Sequence, residues 1–105
     1  MFYEIYAAAL AAALAGNAYD IYTTEKGLKA GVAVEGNDWL VGEKPSALAL
    51  YLRDGLINLP FIALPLVSHV LGNDPLAYGT LAGPAVIAIK HVMGGRAWAK
   101  LLLKK

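Results

Sequence analysis

Asn17, Asp20 and Thr24 follow one another at i, i+3 and i+7, with Thr23 alongside, which puts an amide, a carboxylate and a hydroxyl on one helix face. That set can hold a proton, a cation or a hydrogen-bonding ligand, or it can lock helix register as a polar network. The sequence before Asp20, IYAAALAAALAGNAY, is almost wholly apolar, so the carboxylate is costly there unless it is paired, protonated or turned to water. Arg53 and Lys90 are candidate cations for it, and Asn58 and His91 candidate hydrogen-bonding partners. Asp54 adjoins Arg53 and precedes Asn58 by four residues, so it can pair locally or share a helix face with Asn58. The expected arrangement is a salt-bridge network that fixes helix register; a proton, ion or small-ligand site is the alternative. Glu35-Gly36-Asn37-Asp38 adds hard oxygen ligands of the kind magnesium and calcium take, but the ligand spacing of a calcium loop is absent and the segment reads as a turn.

Other chemistries find no support. Without cysteine, the chain has no disulfide, thiolate metal site or cysteine nucleophile. His69 and His91 fall near opposite ends of different apolar segments, which disfavours a shared zinc or a bis-histidine haem. Ser46, Ser68 and the threonines lack a neighbouring base–acid series, and no phosphate-cradling glycine loop is present. The expectation is a chain with no enzymatic activity, no cofactor and no metal. A net charge of +1 gives no global field for nucleic acid.

The elements that must position the polar residues follow from where charges are missing. Of the 105 residues, 58% are hydrophobic and 16% charged, and mean hydropathy is +0.52. Charge-free runs of 15, 19 and 15 residues separate Glu4 from Asp20, Asp54 from Asp74, and Asp74 from Lys90. A spanning helix needs about 20 mostly apolar residues. The middle run meets that outright; the outer two do so if their flanking polar groups lie near an interface or face protein. Neither residues 7–15 nor 59–67 carry the polar stripe a soluble surface helix needs. The N-terminal MFYEIY lacks the basic region of a signal peptide, so the first segment reads as a retained helix.

The expected fold is therefore a single all-α domain over 1–105, an integral membrane protein with three transmembrane helices at about 2–24, 46–71 and 75–93. A polar connection follows the first helix, and residues 94–105 form a basic interfacial tail. Pro60 and Pro65 should bend the second helix. Asp74 is expected to cap the third, with Pro75 in its first turn, and Gly94-Gly95 to loosen its end. Tyr3, Tyr6, Tyr19 and Tyr22 are placed near the interfaces. Ala8, Ala12 and Gly16, and separately Gly79 and Gly83, have the four-residue spacing of small residues that lets helices approach. Lys26, Lys29 and Lys44 lie in the first connection, and Arg96, Lys100, Lys104 and Lys105 in the tail, whereas the second turn has no Lys or Arg. The positive-inside rule puts both basic stretches in the cytoplasm and the N-terminus outside, in the inner (cytoplasmic) membrane.

The run Asn17-x-x-Asp20-x-x-x-Thr24, followed by Gly31 and Glu35-x-Asn37, resembles a pattern in a family of small bacterial and archaeal multi-span membrane proteins of unknown function. In that family a proline follows the asparagine of the turn, where this chain has Asp38. The resemblance covers about 21 residues; it implies a structural polar core built on Asn17, Asp20, Thr24, Glu35 and Asn37, and no particular activity.

These readings lead to a noncatalytic membrane protein in contact with lipid, packed into a homo-oligomer or a larger membrane complex, with a polar cluster near the cytoplasmic face. A phage-type holin that forms membrane lesions shares the same plan of length, spans and basic tail. A small ion- or proton-conducting subunit using Asp20 is the third expectation.

Overall fold

The computed structural model of the chain describes residues 1–31, 42 and 45–104. Four helices account for nearly all of them: α1 (Phe2–Ala30), α2 (Ala47–Val70), the short α3 (Asp74–Gly79) and α4 (Ala82–Lys104). The fold is all-α, and no strand occurs among the described residues. Helix α1 continues past Thr24 because nothing in TTEKGLKA breaks it until Gly31. There φ turns positive at 71° and the Gly31 N–H closes on the Gly27 and Leu28 carbonyls. Ser46 begins α2, its hydroxyl accepting from the Ala49 N–H, and the helix runs unbroken through Pro60 and Pro65.

The second turn differs from the sequence expectation in its cap. Asn73, not Asp74, accepts from the Leu76 N–H at 3.2 Å. Asp74 is drawn away by His69, whose Nδ1 stands 2.8 Å from its carboxylate. Gly72 makes the reversal possible with φ at 83°, a region that side-chain-bearing residues disfavour. The third apolar run is not one helix over 75–93. It breaks at Thr80-Leu81, where the Thr80 hydroxyl bonds back to the Leu76 and Ala77 carbonyls, and α4 then continues through Gly94-Gly95 to Lys104. Residues 94–104 are thus the last turns of α4 and not a separate tail. The glycines do not loosen α4 because α1 packs directly onto their bare backbone.

Helices α1 and α4 run parallel over most of their length, since Gly16 meets Ala88 and Val92, Tyr19 meets Gly95, and Gly27 meets Trp98. Helix α2 runs antiparallel to both and approaches α4 sparsely, around Phe61 and Gly83. A Cβ on Gly16 would stand 3.0 Å from the Ala88 carbonyl oxygen, so only glycine allows this approach. A Cβ on Gly83 would likewise stand 3.2 Å from the Phe61 carbonyl oxygen. Ala8, Ala12 and Gly79, grouped with these residues by spacing, face outward; the buried small positions of α1 are Ala13, Gly16 and Gly27. The reason is phase: the α4-facing stripe of α1 also takes in Asp20 and runs through Ala13 and Gly16, so the 8–12 row falls outside it.

At the end that holds the N-terminus, Phe2 stacks on His69 with centroids 4.2 Å apart, and Tyr3 and Tyr78 meet these rings edge-on. Phe2, Tyr6 and Ala77 form the buried apolar cluster there, with Leu10, Leu66 and Leu81 against it. Tyr6 is not an interfacial ring: it is buried and its hydroxyl donates to the Ile62 carbonyl of α2 at 2.8 Å. Tyr3, Tyr19 and Tyr22 remain exposed.

Helices α2 and the 31-residue stretch Asp74–Lys104 are long and apolar enough to cross a membrane. Helix α1 is long enough, but Asn17, Asp20 and its tyrosines keep it out of that class. The long axis of the molecule measures 50 Å.

Candidate functional site

One turn beyond Gly16, α1 presents Asp20 to α4. Its Oδ2 lies 2.7 Å from His91 Nδ1, and the Thr24 hydroxyl donates to Oδ1 at 3.4 Å from one turn further along. The other ring nitrogen of His91, Nε2, lies 3.3 Å from the Asn58 amide nitrogen on α2. The imidazole is thus held at both ends, between the carboxylate of α1 and the amide of α2. One turn earlier on α2, Arg53 Nε donates to Asp54 Oδ1 at 3.0 Å, and both side chains are buried.

These groups surround a cavity of about 290 Å³ where the three long helices converge. Asp20, Thr24, Arg53, Asp54, Asn58, Lys90 and His91 all line it, so seven of the residues selected by type and spacing meet in space. Asp20 takes neither Arg53 nor Lys90 as its partner. Arg53 is committed to Asp54, while Lys90 projects into the open one residue before His91 and leaves the imidazole as the nearest donor. Asn17 does not line the cavity; its Oδ1 is buried and has no hydrogen-bond partner among the described residues. Glu35 and Asn37, with the cation site suggested for them, lie outside the described residues. Among those described, no three His, Asp or Glu residues gather as a metal would require.

Sequence reading missed the walls. Ile21, Leu50, Ile57, Gly94 and Trp98 complete the lining of the cavity. The signal was present in the spacing of His91, Gly94 and Trp98 at i, i+3 and i+7, one face of a continuous helix, but it is legible only once α4 is known to continue past the glycine pair. A Cβ at Gly94 would stand 2.9 Å from Asp20 Oδ1 and 3.1 Å from Oδ2. Gly94→Ala should therefore swing the carboxylate off His91, with a loss of about 1 kcal/mol in stability for the broken hydrogen bond. The His91 imidazole nitrogen NMR shifts report this directly; shifts identical to wild type would show that the Asp20–His91 contact tolerates the methyl group.

His69 belongs to the aromatic cluster at the far end and takes no part in this site. Comparisons with known protein families, with curated proteins and with solved structures return no match to this chain. The functional reading therefore rests on the geometry of the chain itself.

Proposed function

We propose that the chain is a noncatalytic integral membrane protein whose three long helices all lie in the membrane, N-terminus outside and C-terminus in the cytoplasm, and that it packs into a homo-oligomer or a larger membrane complex. The observation that carries this reading is the placement of α2. A core helix of a soluble protein is mostly buried, yet only 17% of the most apolar stretch of α2 is buried, and Leu48, Leu52, Leu56, Leu59, Leu64 and Val67 point outward. Its 24 residues extend about 36 Å, enough for a hydrocarbon layer of about 30 Å. Arg53 and Asp54 of α2, by contrast, turn inward to the cavity. An apolar exterior around a polar interior suits lipid and not water.

Assembly is supported by the small residues that the fold leaves unused. Ala8, Ala12 and Gly79 are exposed, and such residues allow another helix to approach closely. Conduction through a single chain is disfavoured by a belt of apolar residues, 7–16, 59–67 and 81–89, between the aromatic end and the polar cavity. Ten residues of helix without a polar side chain correspond to about 15 Å, too far for hydrogen-bonded proton transfer.

The chain has no cysteine, so single substitutions map its topology without background. Leu71→Cys should react with a membrane-impermeant thiol reagent from outside, and Lys104→Cys only after the cytoplasmic face is opened. Release of the protein by alkaline carbonate, or labelling of both positions from one side, would overturn the layout. Purification in mild detergent should recover a homo-oligomer or a stoichiometric partner. A strictly monomeric species would count against assembly, and abrupt permeabilisation of cells on timed expression would select the lesion-forming alternative.

A further inference from the structure

A second cavity adjoins the polar one. It is a groove of about 360 Å³ between α2 and α4, walled by Phe61, Gly83, Val86 and Ile87. Only two polar side chains border it, Asn58 and Lys90, and these together with Ile57 border the polar cavity as well. The groove exists because α2 and α4 approach sparsely, backbone to backbone around Phe61 and Gly83 and side chain to side chain at Asn58 and His91, leaving the space between these points unfilled. An apolar channel leading into a compact polar chamber has the shape of an amphiphile, not of an ion or a soluble metabolite.

The charges indicate the head. Two cations, Arg53 and Lys90, stand against two carboxylates, Asp20 and Asp54. Lys90 is exposed at the mouth and has no ion pair among the described residues. Asp54 is buried deeper; its Oδ1 accepts from Arg53, and its Oδ2 has no hydrogen-bond partner among the described residues. A head with a phosphate near Lys90 and an ammonium N–H reaching the inner carboxylates pairs both ends and adds no net charge to the chamber. A head with net negative charge brings an uncompensated charge into a poorly solvated space, and a choline head has no N–H to give a carboxylate.

Building on the membrane reading above, we propose that groove and cavity form one site for a phospholipid with a phosphoethanolamine head, its chain between α2 and α4 and its head between Lys90 and Asp54. The two or so turns of α4 from Ala82 to Lys90 accommodate about 12 Å of acyl chain.

The test is native mass spectrometry of the intact chain released from micelles doped with phosphatidylethanolamine, phosphatidylcholine or phosphatidylglycerol of matched chains. A single phosphatidylethanolamine adduct should be retained about tenfold more than either of the others, the discrimination expected of one charge-assisted hydrogen bond. Val86→Trp, which fills the groove, and Lys90→Gln, which removes the phosphate partner at an exposed position, should each weaken retention by about the same factor. The Lys90 variant keeps the test decisive if Val86→Trp fails to fold. Equal retention of all three lipids, retention indifferent to both variants, or equal binding of chain-free glycerophosphoethanolamine overturns the proposal. Carbonate extraction of the same preparation separates this failure from failure of the membrane reading: a chain that stays in the membrane but shows no lipid preference disproves only the lipid site.

Discussion

Asp54→Leu is expected to lower stability by about 3–5 kcal/mol, the largest effect of any single polar substitution in this chain. The replacement puts a bulkier apolar side chain at this position and deletes its charge beside a guanidinium that is only 8% exposed. Two opposite charges brought out of water repay their desolvation only while they remain together, so removing one strands the cost of the other. Asp54→Asn keeps an acceptor for Arg53 Nε without the charge and should fall between wild type and Leu. Unfolding of the three proteins in mixed micelles, followed by the Trp98 fluorescence that reports on the same cavity, provides the ranking. A loss for Asp54→Leu within about 1 kcal/mol of wild type, the value of an exposed ion pair, would mean that water reaches this pair.

Gly16→Leu is the second large effect, at about 1–3 kcal/mol or more, because the new side chain must enter the point where α1 meets the backbone of α4. The Ala88 carbonyl that blocks it belongs to a helix and cannot rotate aside. Separation of the two helices here also draws Asp20 away from His91, since both contacts lie along the same seam. Gly55→Ala is the control. Gly55 lies inside α2 with open space where its Cβ would be, so alanine should leave stability unchanged or raise it by about 0.5–1 kcal/mol through helix propensity alone. Thermal unfolding of both variants checks the contrast, and similar shifts in the same direction would rule out a contact-specific role for Gly16.

Both variants bear on how much of this structure is legible in the residue order. Helix α2 is readable from Ser46 to Val70 because a cap and a long apolar run are local features, carried by neighbouring residues. The end of α1 is less so: Gly27 looks like a possible stop, and the helix passes it because Trp98 packs on the bare glycine from 71 residues away. The same holds for Gly94-Gly95, where a local reading gives a frayed end and the fold gives a seam against Tyr19 and Asp20. Glycine has one local meaning, weak helix propensity, and another that depends wholly on what approaches it. Asp74 shows a similar competition: its type suits a helix cap, but His69 takes its carboxylate and Asn73 takes its place.

The sequence by itself determined the all-α class, the apolar runs, and which side chains are expensive enough to need partners. Those properties depend on composition and on a period of 3.6 residues, both carried along the chain. Only the tertiary structure decided the pairing. Asp20 goes to His91 and not to a cation, Arg53 keeps its own neighbour Asp54, and Lys90 is left at the mouth of a cavity. Hydrogen bonds of this kind depend on distances of about 3 Å between helices, and those distances follow from where glycine lets two backbones meet, a fact that no residue states about itself.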